Sequence, residues 1–407
     1  MARLRLPKHL PSWIAFLGVL LMGWALLLWL GEKRERPAEA GAARPSVALP
    51  QAEVAAPVVV PAVVPAAAVA PRVERVERPE RPEQERPVLE FALPTDNQRL
   101  LQSQPEQFFM FVDRYTPTGQ IQVWQGGAYG FVRNPRETAQ GTVFTKFHEG
   151  IDIAPEGRDG RGEPTDEVRA VADGAVVYVT ASAHTSNYGN YAVLLHRVGA
   201  AGEFYSLYAH LKEASVAAGT PIKRGQRVGL LGHTGDGIDR RRAHVHLEVG
   251  LVLSERFEDY NKRTGALANR HGNYHGSNLM GLDVAAFFTA QQADRRLMPD
   301  QFLRGQEVYY KVLVPNRGQE LELVGRYPWL RQPGPAAAAW EISFTGPGVP
   351  VAVAPASQAV SFPSVSWVRA FAGYHSWNTR SMLGGSGNSA TLTAEGNRFL
   401  SLVAGDF

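Results

Sequence analysis

The chain has 407 residues, of which 44% are hydrophobic and 20% are charged, and it contains no cysteine. The lack of cysteine excludes a disulfide scaffold, a thiol nucleophile and a thiolate-bound metal, so any transition metal must be held by histidine and carboxylate. The formal net charge is +3, but residues 1–36 carry six basic and two acidic residues, which leaves the remaining chain close to neutral. Because no basic domain is left over, we predict no nucleic-acid partner.

Residues 13–31 form an uncharged run that begins and ends with apolar residues. A helix of this length spans about 28 Å, which matches the hydrocarbon core of a bilayer. Arg3, Arg5 and Lys8 precede the run, and basic residues favour the cytoplasmic side. We therefore predict that residues 1–36 form a single-pass anchor in the cytoplasmic membrane, with a cytoplasmic N-terminus and the catalytic part periplasmic or extracellular. A cleaved signal peptide is the alternative, because residues 38–40 resemble a cleavage site.

Residues 37–90 are predicted to be a low-complexity spacer. Ten prolines fall among these residues, mixed with alanine and valine, and the stretch ends in alternating charges. Proline at this density prevents helices and sheet ladders, so the segment is expected to act as a semi-rigid tether. Residues 91–139 follow as a lead-in of helix and loop. Here Asp96 is placed to cap a helix that runs through Leu100 and Phe108 to Val112.

Residues 140–282 are predicted to form an antiparallel β-sheet domain, which makes the protein mainly β. The predicted strands are short apolar runs separated by glycine-containing turns, at 175–179, 191–198, 204–211, 228–232 and 244–253. A parallel sheet needs long crossover connections, usually helices, and no helical pattern lies between these runs.

Residues 283–407 are predicted to contain a short helix that starts at Asp283, followed by a second β-rich domain. Its β-like runs are separated by glycine and proline turns, as in a small sandwich, and lie at 308–314, 320–324, 339–344, 365–371, 389–394 and 398–403. The aromatic residues of this region are more often core residues, but they also offer a surface for a protein partner or the cell wall (Trp329, Trp340, Trp367, Tyr374 and Trp377).

Nine of the eleven histidines lie between residues 148 and 275. Three patterns stand out among them: His148 and Asp152 form H-x-x-x-D, His210 lies in YSLYAHL, and His244 and His246 form H-x-H. Residues i and i+2 of a strand point to the same face, and a neighbouring strand lies about 4.8 Å away. Grouped imidazoles and a carboxylate suit zinc, and three protein ligands with one open position are the catalytic arrangement.

In this order along the chain, the motifs resemble the lysostaphin/LytM-type zinc endopeptidases, which cut bacterial cell-wall peptides. The resemblance covers about residues 140–255 and includes HEGIDIA, ADGAVVYV, NYGNYAVLLH, YSLYAHL, GQRVGLLGHTG and HVHLEV. It implies His148, Asp152 and His246 as zinc ligands. It implies His210 and His244 as groups without metal that orient water and stabilise the transition state. The linker DGIDRRRA departs from the short Ser/Gly/Pro-type linker usual in the family.

The resemblance therefore predicts a membrane-anchored zinc endopeptidase whose substrate is the peptide part of peptidoglycan. Zinc lowers the pKa of water to about 7 and polarises a scissile carbonyl, while His210 or His244 donates to the developing oxyanion. Two alternatives are left open by the sequence. One is a structural zinc site, and the other is an exported scaffold or activator that binds zinc without turnover.

Two further segments each have a structural and a functional interpretation. The three arginines at 240–242 form either a solvated loop or contacts for the acidic groups of stem peptides. The aromatic and glycine-rich residues 124–131 form either a packing turn or a cover over the site. The sequence does not decide between these interpretations.

Overall fold

The computed structural model describes residues 89–139, 141–180, 182–265 and 269–407. The predicted anchor and nearly all of the predicted spacer lie outside these residues, so both remain predictions. Within the described part of the chain, no helix has the length and apolar character needed to cross a membrane.

The lead-in consists of one short helix and two hairpins. Helix α1 is Pro105–Phe108, the first hairpin joins β1 (Val112–Thr116) to β2 (Gly119–Val123), and the second joins β3 (Gly130–Thr138) to β4 (Gly141–His148). The predicted helix from residue 96 to 112 is wrong. A 3-10 turn at Arg99–Gln102 ends at Ser103, which has a left-handed backbone with φ of 59°. Pro105 then disfavours helical geometry in the preceding residue.

The central sheet is antiparallel, as predicted. Its strands lie in the order β11-β7-β8-β9-β13-β14, with β5 also paired to β13, and a smaller sheet has the order β10-β12-β6. The bounds are β5 (Ile151–Ile153), β6 (Glu167–Arg169), β7 (Gly174–Thr180), β8 (Asn190–Arg197), β9 (Glu203–Leu211), β10 (Glu213–Ala214), β11 (Pro221–Ile222), β12 (Arg227–Leu230), β13 (Val245–Val252) and β14 (Leu279–Gly281). Every residue of β13 is buried, which places this strand at the centre of the domain.

The C-terminal region mixes strands with helices. Its sheets have the orders β17-β16-β15-β18 and β19-β20-β21. The strands are β15 (Tyr310–Pro315), β16 (Ala339–Phe344), β17 (Pro350–Ala356), β18 (Ser364–Val368), β19 (Phe371–Tyr374), β20 (Leu383–Gly387) and β21 (Ser389–Leu392). The helices that follow β13 in the chain are α2 (Phe257–Thr264), α3 (Val284–Ala293), α4 (Pro299–Arg304), α5 (Glu322–Arg326) and α6 (Ala394–Ala404).

Two of the strands predicted in this region are helices. Residues 320–324 overlap α5, and residues 398–403 lie within α6. The Thr393 hydroxyl accepts a hydrogen bond from the Gly396 N–H at the start of α6, and Gly405 ends the helix with a left-handed φ of 68°. The predicted helix start at Asp283 is confirmed, because the Asp283 carboxylate accepts from the Ala286 N–H at 3.0 Å and so caps α3.

One continuous hydrophobic core includes residues from both the central sheet and the C-terminal region. The rings of Phe204 and Trp329 stack with centroids 6.4 Å apart, and the Val252 N–H donates to the Tyr327 hydroxyl. Trp329 and Trp340 are therefore core residues, whereas Trp367 and Tyr374 are exposed. The boundary at residue 283 remains a prediction of sequence composition.

Candidate metal centre

Three strands bring the predicted zinc ligands together. His148 is the last residue of β4, and Asp152 in β5 lies directly opposite His246 in β13 across an antiparallel pair. His148 Nε2 is 3.1 Å from both His246 Nδ1 and Asp152 Oδ1, and His246 Nδ1 is 2.9 Å from that same oxygen. All three side chains are buried, and their ligand atoms lie within 4.8 Å of one another.

The hydrogen bonds of the His148 and His246 rings leave each ring one nitrogen whose lone pair is directed between the three side chains. His148 Nδ1 donates to the Ala128 carbonyl at 2.8 Å, and His246 Nε2 donates to Glu248 Oε1 at 3.0 Å. In neutral rings His148 Nε2 and His246 Nδ1 are then acceptors, and they face each other beside a carboxylate. Ligand atoms that each lie about 2.0–2.2 Å from one zinc ion are roughly 3–3.5 Å apart. The donor set and its spacing therefore fit a divalent cation.

The electrostatics at the centre favour positive charge. Burial opposes a charge on His246, but hydrogen bonds to Asp152 and Glu248 outweigh burial and raise the His246 pKa to about 10. Burial also opposes ionisation of Asp152, yet the rings of His148 and His244 hold its pKa well below the usual value. Burial lowers the pKa of His148. A metal cation between the three side chains would compete with the proton of His246 for the negative charge of Asp152 and Glu248.

Tyr188 and Arg133 support the candidate ligands from outside, Tyr188 through Glu248 and Arg133 directly. The Tyr188 hydroxyl donates to Glu248 Oε1 at 2.6 Å, so that this buried carboxylate oxygen accepts from both Tyr188 and His246. On the other side, Arg133 Nη2 donates to Asp152 Oδ2 at 2.6 Å. The guanidinium occupies Oδ2, which leaves Oδ1 facing the two imidazoles. Contacts of this kind fix the tautomer and orientation of metal ligands.

His210 and His244 lie next to the three candidate ligands. His210 Nδ1 donates to the Thr234 carbonyl at 2.9 Å, and His244 Nδ1 donates to the Arg242 carbonyl at 2.6 Å. In each ring Nε2 is therefore the nitrogen left for contacts within the site, and His244 Nε2 lies 3.4 Å from Asp152 Oδ1. The ring centroids of His210 and His244 are 4.8 Å apart. Burial and the neighbouring His244 lower the pKa of His210 well below its usual value, so its ring is neutral at neutral pH.

The backbone at His210 is unusual. Its φ is +62°, and its N–H donates to the Tyr188 carbonyl instead of continuing the regular ladder. The register between β8 and β9 shifts between Asn190 and Ala192, in the same part of the sheet. Left-handed conformations cost a residue with a side chain free energy and are concentrated at functional sites, and a bulge re-aims a side chain. The strand irregularity accounts for the position of His210 beside His244.

A close approach of strands at Gly150 keeps the centre compact. A Cβ atom at this position would lie 2.3 Å from the Leu247 carbonyl oxygen and 3.0 Å from His246 Cε1. Only glycine therefore allows the turn between β4 and β5 to pack against β13. This requirement explains the glycine in the HEGIDIA motif.

The sequence motifs do not point to Arg133, Glu248, Tyr188 or the carbonyl of Ala128 as parts of the site. Glu248 could have been found, because it follows His246 by two residues and so points to the same face of the strand. Arg133 reaches Asp152 through the register of the β3–β4 hairpin, for which the sequence contains no comparable signal. Trp124, in the proposed cover, stacks on Phe109 with ring centroids 5.9 Å apart, as expected for a packing turn.

Comparison with known proteins agrees with the motifs. The model of peptidase family M23 matches residues 146–256. An uncharacterized metalloprotease from Haemophilus influenzae is 30% identical over 161 residues, which are 40% of this chain and 29% of that protein. The chain thus spans less than a third of the length of this curated relative.

Two solved structures are also similar. The catalytic domain of lysostaphin from Staphylococcus simulans is 20% identical, with 38% of this chain and 84% of that chain covered and a TM-score of 0.24. A zinc containing peptidase from Vibrio cholerae is 24% identical, with 34% of this chain and 43% of that chain covered and a TM-score of 0.20. These scores are low, so the assignment depends on the family model and the motifs. The resemblance found in the sequence is confirmed, because residues 146–256 match the model of peptidase family M23.

Proposed function

We propose that the chain is a zinc endopeptidase that hydrolyses peptide bonds in the stem peptides or cross-links of peptidoglycan. The observation that carries this proposal is the convergence of three ligand atoms, on His148, Asp152 and His246, beside two histidines whose Nδ1 atoms both donate to backbone carbonyls. The match to a metallopeptidase family supports the reaction class. The absence of cysteine argues against the structural zinc alternative, because closed structural sites favour thiolates.

The side chains divide the work of hydrolysis between holding the metal and moving protons. His148, Asp152 and His246 would hold the zinc ion. Zinc bound there supplies Lewis-acid polarisation of a peptide carbonyl and makes a water molecule more acidic. His210 and His244 act at Nε2, because the carbonyls of Thr234 and Arg242 fix their Nδ1 protons. A neutral Nε2 accepts a proton, and a protonated Nε2 donates to the oxyanion or the leaving amine.

A second candidate function is an exported scaffold or activator that binds zinc without turnover. The observation that favours it is burial, since none of the five side chains of the centre is more than 7% exposed. A substrate carbonyl must reach the metal, and in the described conformation little ligand surface is open to it. This candidate and the endopeptidase make different predictions for turnover, although both bind metal.

Digestion of purified sacculi by the full-length chain separates the two. We expect zinc-loaded protein to release soluble peptides and chelated protein to release none. His210→Ala should keep its zinc and lose release by orders of magnitude, while His184→Ala, at an exposed histidine outside the site, should match the wild type. Stoichiometric zinc without release supports the scaffold. Loss of zinc in His210→Ala contradicts the role assigned to His210.

We also propose that residues 13–31 anchor the protein in the cytoplasmic membrane with the catalytic domain on the outer side. The proposal is supported by the length of the uncharged run and the basic residues before it. Carbonate extraction of membranes and the mass of the exported protein test it. A mature chain shorter by about forty residues indicates cleavage instead of anchoring.

A further inference from the structure

A basic pocket adjoins the candidate metal centre. Its cavity volume is about 550 Å³, and it is lined by Arg161, Glu163, Lys212, His233, Thr234 and Arg240. None of these residues belongs to the metal centre described above, apart from the Thr234 carbonyl that orients His210. The pocket therefore lies immediately beside a proposed catalytic residue.

The backbone connects the pocket to both His210 and His244. Thr234 accepts the hydrogen bond of His210 Nδ1, and Lys212 follows His210 by two residues. Gly232 forms a β-bridge with His244, and His233 is the next residue. A group bound in the pocket is consequently close to a peptide whose carbonyl lies at the metal centre.

The charge of the lining is unbalanced. Three basic side chains, those of Arg161, Lys212 and Arg240, share the pocket with one acidic side chain, that of Glu163. A second carboxylate, that of Asp159, lies at the edge of the pocket with Oδ2 3.7 Å from Arg161 Nε. The Glu163 carboxylate lies 3.2 Å from His233 Nε2 and 3.6 Å from Arg240 Nη1. Lys212 forms no ion pair with any residue that the structure describes. The side chains of Arg161 and Arg240 are 85% and 54% exposed, so their guanidinium groups are accessible to a ligand.

The three consecutive arginines, which the sequence left with two interpretations, have separate positions. Arg241 pairs with Asp113, and Arg242 Nε donates to the Phe111 carbonyl at 3.3 Å. Both are thus held by the lead-in, and only Arg240 lines the pocket. Arg158 Nη1 donates to the Arg240 carbonyl at 2.8 Å, which fixes the backbone of this turn. The turn presents one guanidinium toward the pocket.

We propose that this pocket is a carboxylate-binding subsite that selects peptides with an acidic group beside the scissile bond. The proposal rests on the proposed function, because the ligand is taken to be the acidic stem peptide of peptidoglycan. Guanidinium binds carboxylate through two parallel hydrogen bonds, and Lys212 adds a flexible point charge. Glu163 and the neighbouring Asp159 offset two of the three basic side chains, and the remaining positive charge is one that an incoming carboxylate compensates.

The test compares an acidic stem tetrapeptide with the same peptide after amidation of its carboxylates. Equilibrium binding is measured by calorimetry on the metal-free full-length chain, which does not hydrolyse the peptides. KM is measured on the zinc-loaded chain with cross-linked forms of both peptides. In the wild type we expect amidation to weaken binding and raise KM about tenfold, with a smaller effect on kcat. The double variant Lys212→Gln/Arg240→Gln should bind both peptides equally weakly. Arg197→Gln, an exposed arginine at the far end of β8, is the matched control and should retain the preference.

The outcomes distinguish failure of the subsite from failure of the proposed function. Hydrolysis with the same KM for acidic and amidated peptides overturns the subsite and leaves the endopeptidase intact. Acid-selective binding without hydrolysis by the zinc-loaded chain supports the subsite and contradicts the endopeptidase. If the double variant still prefers the acidic peptide, or if Arg197→Gln loses the preference, the assignment to Lys212 and Arg240 is refuted.

Discussion

Replacement of Glu248 by glutamine tests whether this carboxylate controls the metal affinity of the centre. Glu248 is buried, and its Oε1 atom accepts from His246 Nε2 at 3.0 Å and from the Tyr188 hydroxyl at 2.6 Å. Because both contacts fall on one oxygen, the amide oxygen of glutamine can keep both. The substitution therefore removes chiefly the negative charge and preserves the shape.

The expected magnitude follows from the change of these hydrogen bonds from a charged to a neutral acceptor. A bond to a charged group contributes about 1.5–3 kcal/mol, and a neutral one about 0.5–1.5 kcal/mol. The difference of roughly 1–1.5 kcal/mol corresponds to about tenfold weaker zinc binding, the lower end of effects measured for residues behind metal ligands. The cause is that His246 becomes less basic at Nδ1 and is less firmly oriented.

Zinc affinity is measured by competition with a chromogenic chelator at fixed pH, and thermal unfolding of the metal-free form checks that the fold is intact. Glu203→Gln is the matched control, because Glu203 also accepts a tyrosine hydroxyl, that of Tyr205 at 2.9 Å, at the other end of β9. Unchanged zinc affinity in Glu248→Gln, or an equal loss in the control, would refute the reasoning.

Three further substitutions are informative. Gly150→Ala should lower the free energy of unfolding by about 2 kcal/mol through overpacking against β13, as measured by urea denaturation. Gly160→Ala, whose Cβ meets open space, is the control and should not lower it. Arg133→Met removes the partner of the buried Asp152 Oδ2 but keeps the histidines beside Oδ1. The loss of stability, measured by thermal unfolding, should therefore be about 2 kcal/mol without zinc and smaller with it, and equal losses contradict this. Burial lowers the pKa of His196 to about 4. The unfolded ring binds a proton below about pH 6.5, so the free energy of unfolding should fall by up to about 3 kcal/mol from pH 6.5 to 4. In His196→Gln this pH dependence, measured by urea unfolding, should be weaker.

The sequence predicted many strands of the central sheet and one of the smaller sheet because these strands have clear physical signals. Short apolar runs bounded by glycine leave little choice of secondary structure, and the five runs predicted between residues 175 and 253 correspond to β7, β8, β9, β12 and β13. The candidate ligands were identifiable for a related reason. H-x-H in a strand places both rings on one face, and the H-x-x-x-D motif supplies the strand that pairs with it.

The predictions failed where local pattern and tertiary context compete. Residues 398–403 contain apolar and aromatic residues that suit a strand, but the caps at Thr393 and Gly405 define a helix whose apolar face is buried. The lead-in was expected to continue as one helix, yet Ser103 and Pro105 divide it. In both cases the deciding residues are single positions at the ends of the element.

The structure also changes how a cover over the site should be tested. Removal of residues 91–135 would delete Phe108 and Phe109, which are core residues, and the Met110 N–H that donates to the Asp152 carbonyl. Such a deletion would perturb the fold together with any cover. The Arg133 contact to Asp152 is a narrower target, because a single side chain links the β3–β4 hairpin to the metal centre.

The four histidines of the centre differ in what fixes their tautomers. In His148, His210 and His244, Nδ1 donates to a backbone carbonyl, so Nε2 is presented whatever the neighbouring side chains are. His246 is reversed: Nε2 donates to the Glu248 carboxylate, and Nδ1 faces the metal position. A backbone acceptor survives substitution of its side chain, whereas a carboxylate acceptor does not. His246 is therefore the candidate ligand whose orientation depends on one replaceable side chain, and metal affinity should be more sensitive at Glu248 than at Ala128, Thr234 or Arg242.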